Sequence, residues 1–266
     1  MAEPVMWVAG LRALYLQALH PRVMRGSWQN TAMADRRQAF GRFLRTTEFI
    51  RVRTYGSRAE VERAGRRIRK LHARLRGTDE DGTEFRLDEP ALLLWVHCAE
   101  VSSYVDVARR SGLRLSPAEL DAFVDEQRRC AAVVGLDPAL VPASLAELDS
   151  CIEETRPQLR ATPEARRALL RSVNTSMPVT YLPLKLMVPG LTTLGFASQP
   201  RWARRLYGVP GTPLTDLAVT VSLRALHEGT ARIPWSLAAP PAVRAAREMA
   251  RAYQQARAAG AVRPVS

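Results

Sequence analysis

Residues 90–110 read PALLLWVHCAEVSSYVDVARR. Proline suits the first turn of a helix, where its missing N–H is not needed, and no breaker follows for twenty residues. Apolar side chains fall on nearly every side of the helical wheel. A helix with so little polar surface is normally enclosed by other elements. The stretch therefore predicts a central core helix, stopped by Gly112.

Reading downstream, Ser116, Pro117 and Glu119 combine a cap, a first-turn proline and a capping-box carboxylate. That helix reaches about Val134 and stops at Gly135. Ser144 with Glu147, and Thr162 with Pro163 and Glu164, start two more. From 174 to 215, Pro178, Pro183, Pro189, Pro200, Pro210 and Pro213 predict short helices between proline turns, and a last helix covers 213–228. Reading upstream, GTDEDGTEFRLDEP (77–90) has the chemistry of a turn or short hairpin. Ser57 caps a helix over 58–76 whose stripe is Val61, Ala64 or Gly65, Ile68, Leu71 or His72, and Leu75. Residues 34–54 form a helix with Phe40, Phe43, Leu44, Phe49 and Ile50 at helical spacing, and 6–20 an apolar helix closed by Pro21. No repeat and no strand pattern of any length is seen. The expected fold is all-α. It is a single helical-bundle domain over 1–235, with globin-like helix packing but not globin topology and with a proline-rich C-terminal segment. Residues 236–266 are expected to form a basic helix or tail.

Of 266 residues, 47% are hydrophobic, enough for one sizeable core. There is no run of eighteen apolar residues, so no transmembrane span is expected. The first twenty residues carry Glu3 and Arg12 and read as a helix, not a signal peptide. The expected location is the cytoplasm. The net charge of +13 invites a nucleic-acid reading. However, lysine occurs only at Lys70 and Lys185, and the arginines are scattered along the chain, which reads as a compositional bias. Nucleic acid is not the expected partner; an anionic substrate or a membrane surface would suit the charge equally. Cys98, Cys130 and Cys151 are odd in number and widely spaced, which argues against a disulfide framework or a cysteine zinc site.

The histidines are His20, His72, His97 and His227. Taken alone, each is more often a surface or hydrogen-bonded core residue than a ligand. His72 stands out because it can share the apolar stripe of its helix, inside the basic stretch RRIRKLHARLRG. A neutral imidazole facing an apolar space is what haem ligation requires, and arginines suit propionates. Arg42 and Thr46, four apart, share a helix face that Phe49 continues. A guanidinium and a hydroxyl pointing the same way suit the orientation of dioxygen, although on these residues alone a solvated face is the better reading. His97 lies in the apolar helix with Glu100 one turn on and Tyr104 on the same stripe; if buried, these polar groups need partners. A di-iron site would need paired ExxH motifs, which are not visible. Walker, Rossmann and nucleophile-elbow motifs are missing.

Five segments in order resemble one family. LRALYLQALHP resembles the opening helix of MpaB/rubber-oxygenase catalytic domains. GRFLRTTEFIRVRTYGS resembles their GRLxRT segment, and IRKLHARLRGTDEDGTEFRLDEPALLLWVH their VRxMHxxVRG…DPxLLxWVH. LSPAELDAFVDEQRRCAAVVGLDPALVPAS and RRLYGVPGTPL resemble the segments that follow. Together they cover about residues 8–225. The resemblance implies an all-helical enzyme binding one haem b. With no CxxCH present, that haem is held non-covalently. It implies His72 as the axial iron ligand and Arg42 and Thr46 on the distal side. His20 and His97 match positions common in short members and are carried as candidate cofactor-binding residues. The implied reaction is oxygen-dependent oxidation or cleavage of a mid-sized apolar, prenyl-like or secondary-metabolite molecule, with dioxygen as co-substrate and an electron donor that the sequence does not name. An oligomer is compatible with it. One departure concerns the glutamate that rubber oxygenases carry upstream of the RxxxT pair: here the stretch reads GSWQN (26–30), without a carboxylate. The competing reading is a non-catalytic basic helical module binding a membrane surface or nucleic acid.

Overall fold

A computed structural model describes residues 5–30, 36–173 and 182–232, together with Glu248 and Gln255. Among these residues the chain runs through α1 (Val5–Gln17), α2 (Pro21–Asn30), α3 (Arg36–Tyr55) and α4 (Arg58–His72), then a hairpin of β1 (Arg76–Thr78) and β2 (Glu84–Arg86). It continues as α5 (Pro90–Arg110), α6 (Pro117–Val134), α7 (Leu145–Thr155), α8 (Pro163–Val173), α9 (Leu182–Ala197), α10 (Arg201–Tyr207) and α11 (Pro213–Ala231). The chain is an all-α domain.

The helix at 90–110 is the centre. Each of the four hydrophobic clusters in the described core contains a residue of α5: Trp95 and Ala99, Tyr104 and Val107, Cys98 with Val101 and Val105, and Leu93. Helices α1, α6, α7 and α11 pack around it, α1 most extensively. By length and composition α5 is the one described helix able to cross a bilayer, yet much of its surface is buried inside this protein.

Polar ties fix α1 on α5. Trp95 Nε1 donates to the Gln17 carbonyl at 3.2 Å, and Gln17 Nε2 donates to the Val96 carbonyl at 3.0 Å. Arg12, the charged residue within the apolar first helix, is buried. It donates to Ser103 Oγ at 2.7 Å and to the Ser198 carbonyl at 3.1 Å, and faces Asp106 at 3.4 Å. A buried guanidinium must have such partners. Helix α9 comes close to α1 at Gly195, where a Cβ would lie 2.9 Å from Leu11 Cβ; only glycine permits that approach.

The capping signals are realised at Ser57, Ser116 and Ser144, each accepting from the N–H three residues on. Gly112 and Gly135 take the left-handed conformation that ends α5 and α6, with φ of 105° and 101°. Several boundaries differ from the sequence reading. Pro21 does not merely close the first helix; it opens α2, since proline is equally at home at a first helical position. The helix expected over 58–76 ends at His72, because the chain must turn there into the hairpin. That hairpin includes two three-residue strands where no strand pattern was visible. Pro189 lies inside α9 instead of separating short helices. Helix α11 continues to Ala231. Residues 174–181 and, apart from Glu248 and Gln255, the 236–266 tail lie outside the described residues.

Trp95 is 1% exposed at the α1–α5 contact. Trp95→Ala is expected to cost about 3–5 kcal/mol by removing buried area and leaving a cavity. The check is a lowered urea midpoint at unchanged m value.

Candidate functional site

The charged neighbours of His72 are Arg42 on α3 and Asp88, just before α5. His72 is the last residue of α4, on the stripe formed by Val61, Ala64, Gly65 and Ile68; Leu71 points outward instead and is 49% exposed. The open choice between Leu71 and His72 is thus decided by the fold. Gly65, at the centre of the stripe, sits against the Val133 carbonyl of α6, where a Cβ would come within 2.9 Å. Nδ1 of His72 is buried and has no hydrogen-bond partner. Burial lowers the pKa of the ring, Arg42 acts in the same direction and Asp88 opposes them. His72 is therefore neutral at neutral pH.

Arg42 reaches this region from α3. Its Nη2 donates to Ser27 Oγ of α2 at 3.2 Å, and burial, followed by the nearby Arg45, lowers its pKa. Thr46 follows one turn on and donates its hydroxyl to the Arg42 carbonyl at 3.1 Å, leaving the oxygen lone pairs for other use. Ser27 belongs to the GSWQN stretch. Gln29 exchanges hydrogen bonds with the backbone of Thr78 at 2.9 and 3.0 Å. With Arg22 on Asp79 at 2.8 Å and Arg25 on Glu80 at 2.7 Å, it locks the hairpin onto α2. Gly77 is required in that hairpin because a Cβ would collide with the Phe85 ring at 2.3 Å. The hairpin, clamped in this way, fixes where α4 ends.

The α3 face carrying Arg42, Thr46 and Phe49 continues to Arg53, one further turn on. By helix rise, Arg42 and Arg53 stand about 16 Å apart along the axis. Arg53 is almost enclosed and grips Glu100 of α5 through two contacts, at 2.6 and 3.2 Å. Burial opposes the charge on Arg53, but Glu100 outweighs it and holds the guanidinium above its ordinary pKa. Tyr104 Oη donates to Glu100 at 3.2 Å; burial, then Glu100, pushes the phenol pKa up. The carboxylate of the HxxE pair is thus bound by Arg53 and Tyr104. Arg53 was not singled out from the sequence, although the 42-46-49-53 spacing carries the signal. His97 lies beside this pair, 6% exposed, with a pKa lowered to about 4 by burial and by Arg53 against the pull of Glu100.

His20 is also buried, and its Nδ1 lacks a partner. Burial, then Arg22, lowers its pKa; Asp79, Arg160 and Glu89 are its other charged neighbours. His20, His72 and His97 share none of their charged neighbours, so they occupy three distinct surroundings. The basic stretch around His72 does not face inward: Arg66, Arg67, Lys70 and Arg74 are exposed, and Arg69 is committed to the Val133 carbonyl at 2.7 Å. Among the described residues no three His, Cys, Asp or Glu side chains form a metal-holding cluster. A polar cleft of about 300 Å³ lies elsewhere, lined by Arg12, Asp106, Arg110, Gln199 and Asp216 among others. Its arginines are already engaged: Arg12 with Ser103 and the Ser198 carbonyl, Arg110 with Thr220 and the Asp216 carbonyl, and Arg201 with the Asp216 carboxylate.

The family described as ER-bound oxygenase mpaB/B′/rubber oxygenase, catalytic domain, matches residues 1–232. No curated protein and no solved structure matches the chain.

The low pKa of His97 has a definite stability consequence. An unfolded chain protonates this residue near 6.5, whereas the folded chain does so only near 4. Stability is complete above pH 6.5 and falls as pH drops towards 4, by about 3 kcal/mol from this residue. Urea midpoints at pH 7 and 4.5 should therefore differ less in His97→Asn than in the parent chain.

Proposed function

The chain belongs to the mpaB/rubber-oxygenase catalytic-domain family, and from that premise we propose that it is a haem b-dependent oxygenase acting on a mid-sized apolar molecule, with His72 as the axial ligand. The family is one of oxygenases; the haem and the substrate class go beyond that description. The observation that carries it is the unpartnered, buried Nδ1 of a neutral His72 beside the Arg42 guanidinium.

The residues present fit such a cofactor. An imidazole kept neutral by burial offers a lone pair to iron without first losing a proton. Its helix end is fixed by the hairpin, so the ring is held in place before any ligand arrives. The bound haem would supply activation of dioxygen, chemistry that no protein side chain provides. Arg42, held by Ser27, places positive charge where an oxygen-derived anion would be stabilised. Thr46 presents lone pairs on the same face, and Phe49, one turn on, adds apolar surface to it. Ser27 is the residue of the GSWQN stretch that meets Arg42. A hydroxyl there can relay a proton, but at neutral pH it is a far weaker base than the glutamate of rubber oxygenases. A reaction that does not rest on proton abstraction by a carboxylate from this stretch is the better fit.

Protein expressed with ample haem should show a Soret band and a positive pyridine haemochrome. His72→Ala should lose the band while keeping its helical circular dichroism. Arg42→Ala should keep the haem and lose oxygen-dependent turnover by about 100-fold, the scale of removing one oxyanion-type donor. A colourless parent protein, or a His72→Ala variant with an unaltered spectrum, would overturn the assignment.

A further inference from the structure

Cys98 and Cys151 are 53 residues apart in sequence, yet their Sγ atoms lie 3.2 Å from one another where α5 packs on α7. Both belong to the apolar cluster of Val101, Val105, Leu120, Val124 and Leu148. Cys98 is fully buried, whereas Cys151 is partly exposed. We propose that these two thiols form a preassembled oxidation site, in which a hydroperoxide converts them to a reversible Cys98–Cys151 disulfide that ties the central helix to α7. The inference does not depend on the haem reading.

The geometry favours this pair over any other. A disulfide bond is about 2.05 Å long, so closing the 3.2 Å gap needs about 1.2 Å of combined sulfur movement. Cys130, the third thiol, lies on α6 in different surroundings, with Arg53, Glu100 and Glu126 as its charged neighbours.

The pair is also chemically asymmetric. The hydrogen bond that the two sulfurs share, and then burial, raise the pKa of Cys98. Cys151, the member that solvent can reach, is thus the one that meets the peroxide and attacks first. The Cys151 thiolate attacks one peroxide oxygen, forming an S–O bond as the O–O bond breaks; the departing oxygen leaves as water or alcohol after taking up a proton. Cys98 sulfur then attacks Cys151 sulfur, the S–S bond forms, and hydroxide leaves with the Cys98 proton as water. Two thiols lose two electrons and two protons, and one peroxide is reduced. Because Cys98 sits behind Cys151, the sulfenic acid is trapped before a second peroxide reaches it.

The purified full chain should be treated with a small excess of hydrogen peroxide at pH 7. The expected result is loss of two of the three titratable thiols and a mass lower by two hydrogen atoms. A non-reduced peptide map should join the Cys98 and Cys151 peptides with Cys130 unmodified. Dithiothreitol should reverse all of it. The linkage should persist in Cys130→Ser and vanish in Cys151→Ser. The oxidised chain should melt at higher temperature, because the bond closes a long loop in the unfolded state. Oxidation that stops at sulfinic acid on Cys151, a linkage through Cys130, or a lowered melting temperature would each overturn the proposal.

Discussion

A helix with almost no polar face sets the terms for this protein. Because α5 carries apolar side chains nearly all round, it is stable only where neighbouring helices cover it, and the four core clusters are the four ways in which they do. Polar groups within that core are tolerated only with partners. Arg12 reaches Ser103, Ser198 and Asp106, and Glu100 is held between Arg53 and Tyr104. These contacts set the position of α5 relative to α1 and α3 more narrowly than apolar packing could, since hydrogen bonds are directional and the hydrophobic effect is not.

Helix α3 works in the opposite way. No residue on it with a described side chain is classed as fully buried, but one face turns two guanidinium groups inward. The far end is neutralised by Glu100. At the near end Arg42 donates to the hydroxyl of Ser27, and beside it His72 keeps an unprotonated ring. Burial acts at both ends: low polarity strengthens Arg53–Glu100 and makes protonation of the His72 ring costly.

What could be read from residues alone were local features. Ser57, Ser116 and Ser144 act as caps because side-chain oxygen and backbone N–H lie within one turn, whatever surrounds them. Gly112 and Gly135 end helices because the left-handed conformation costs glycine nothing. Local chemistry failed where one residue allows two outcomes. Pro21 can stop a helix or start one, and the start of α2 shows only once His20 is placed on the core. Pro189 sits within α9, where packing against α1 and α8 outweighs the lost hydrogen bond. Arg53 shares a visible stripe with Arg42, but nothing in a one-dimensional pattern identifies Glu100 as its partner 47 residues away.

The sequence by itself determined the helical class, the central place of residues 90–110, the caps, and the run of motifs that marks the family. All of these depend on spacings of a few residues, over which backbone geometry is the same in any protein. Tertiary structure alone decided that His72 and not Leu71 turns inward, that Arg42 meets Ser27 across two helices, that Glu100 answers Arg53 instead of His97, and that Cys98 touches Cys151. Those outcomes depend on how the helices rotate and slide as they bury α5, and that is a property of the whole packed chain.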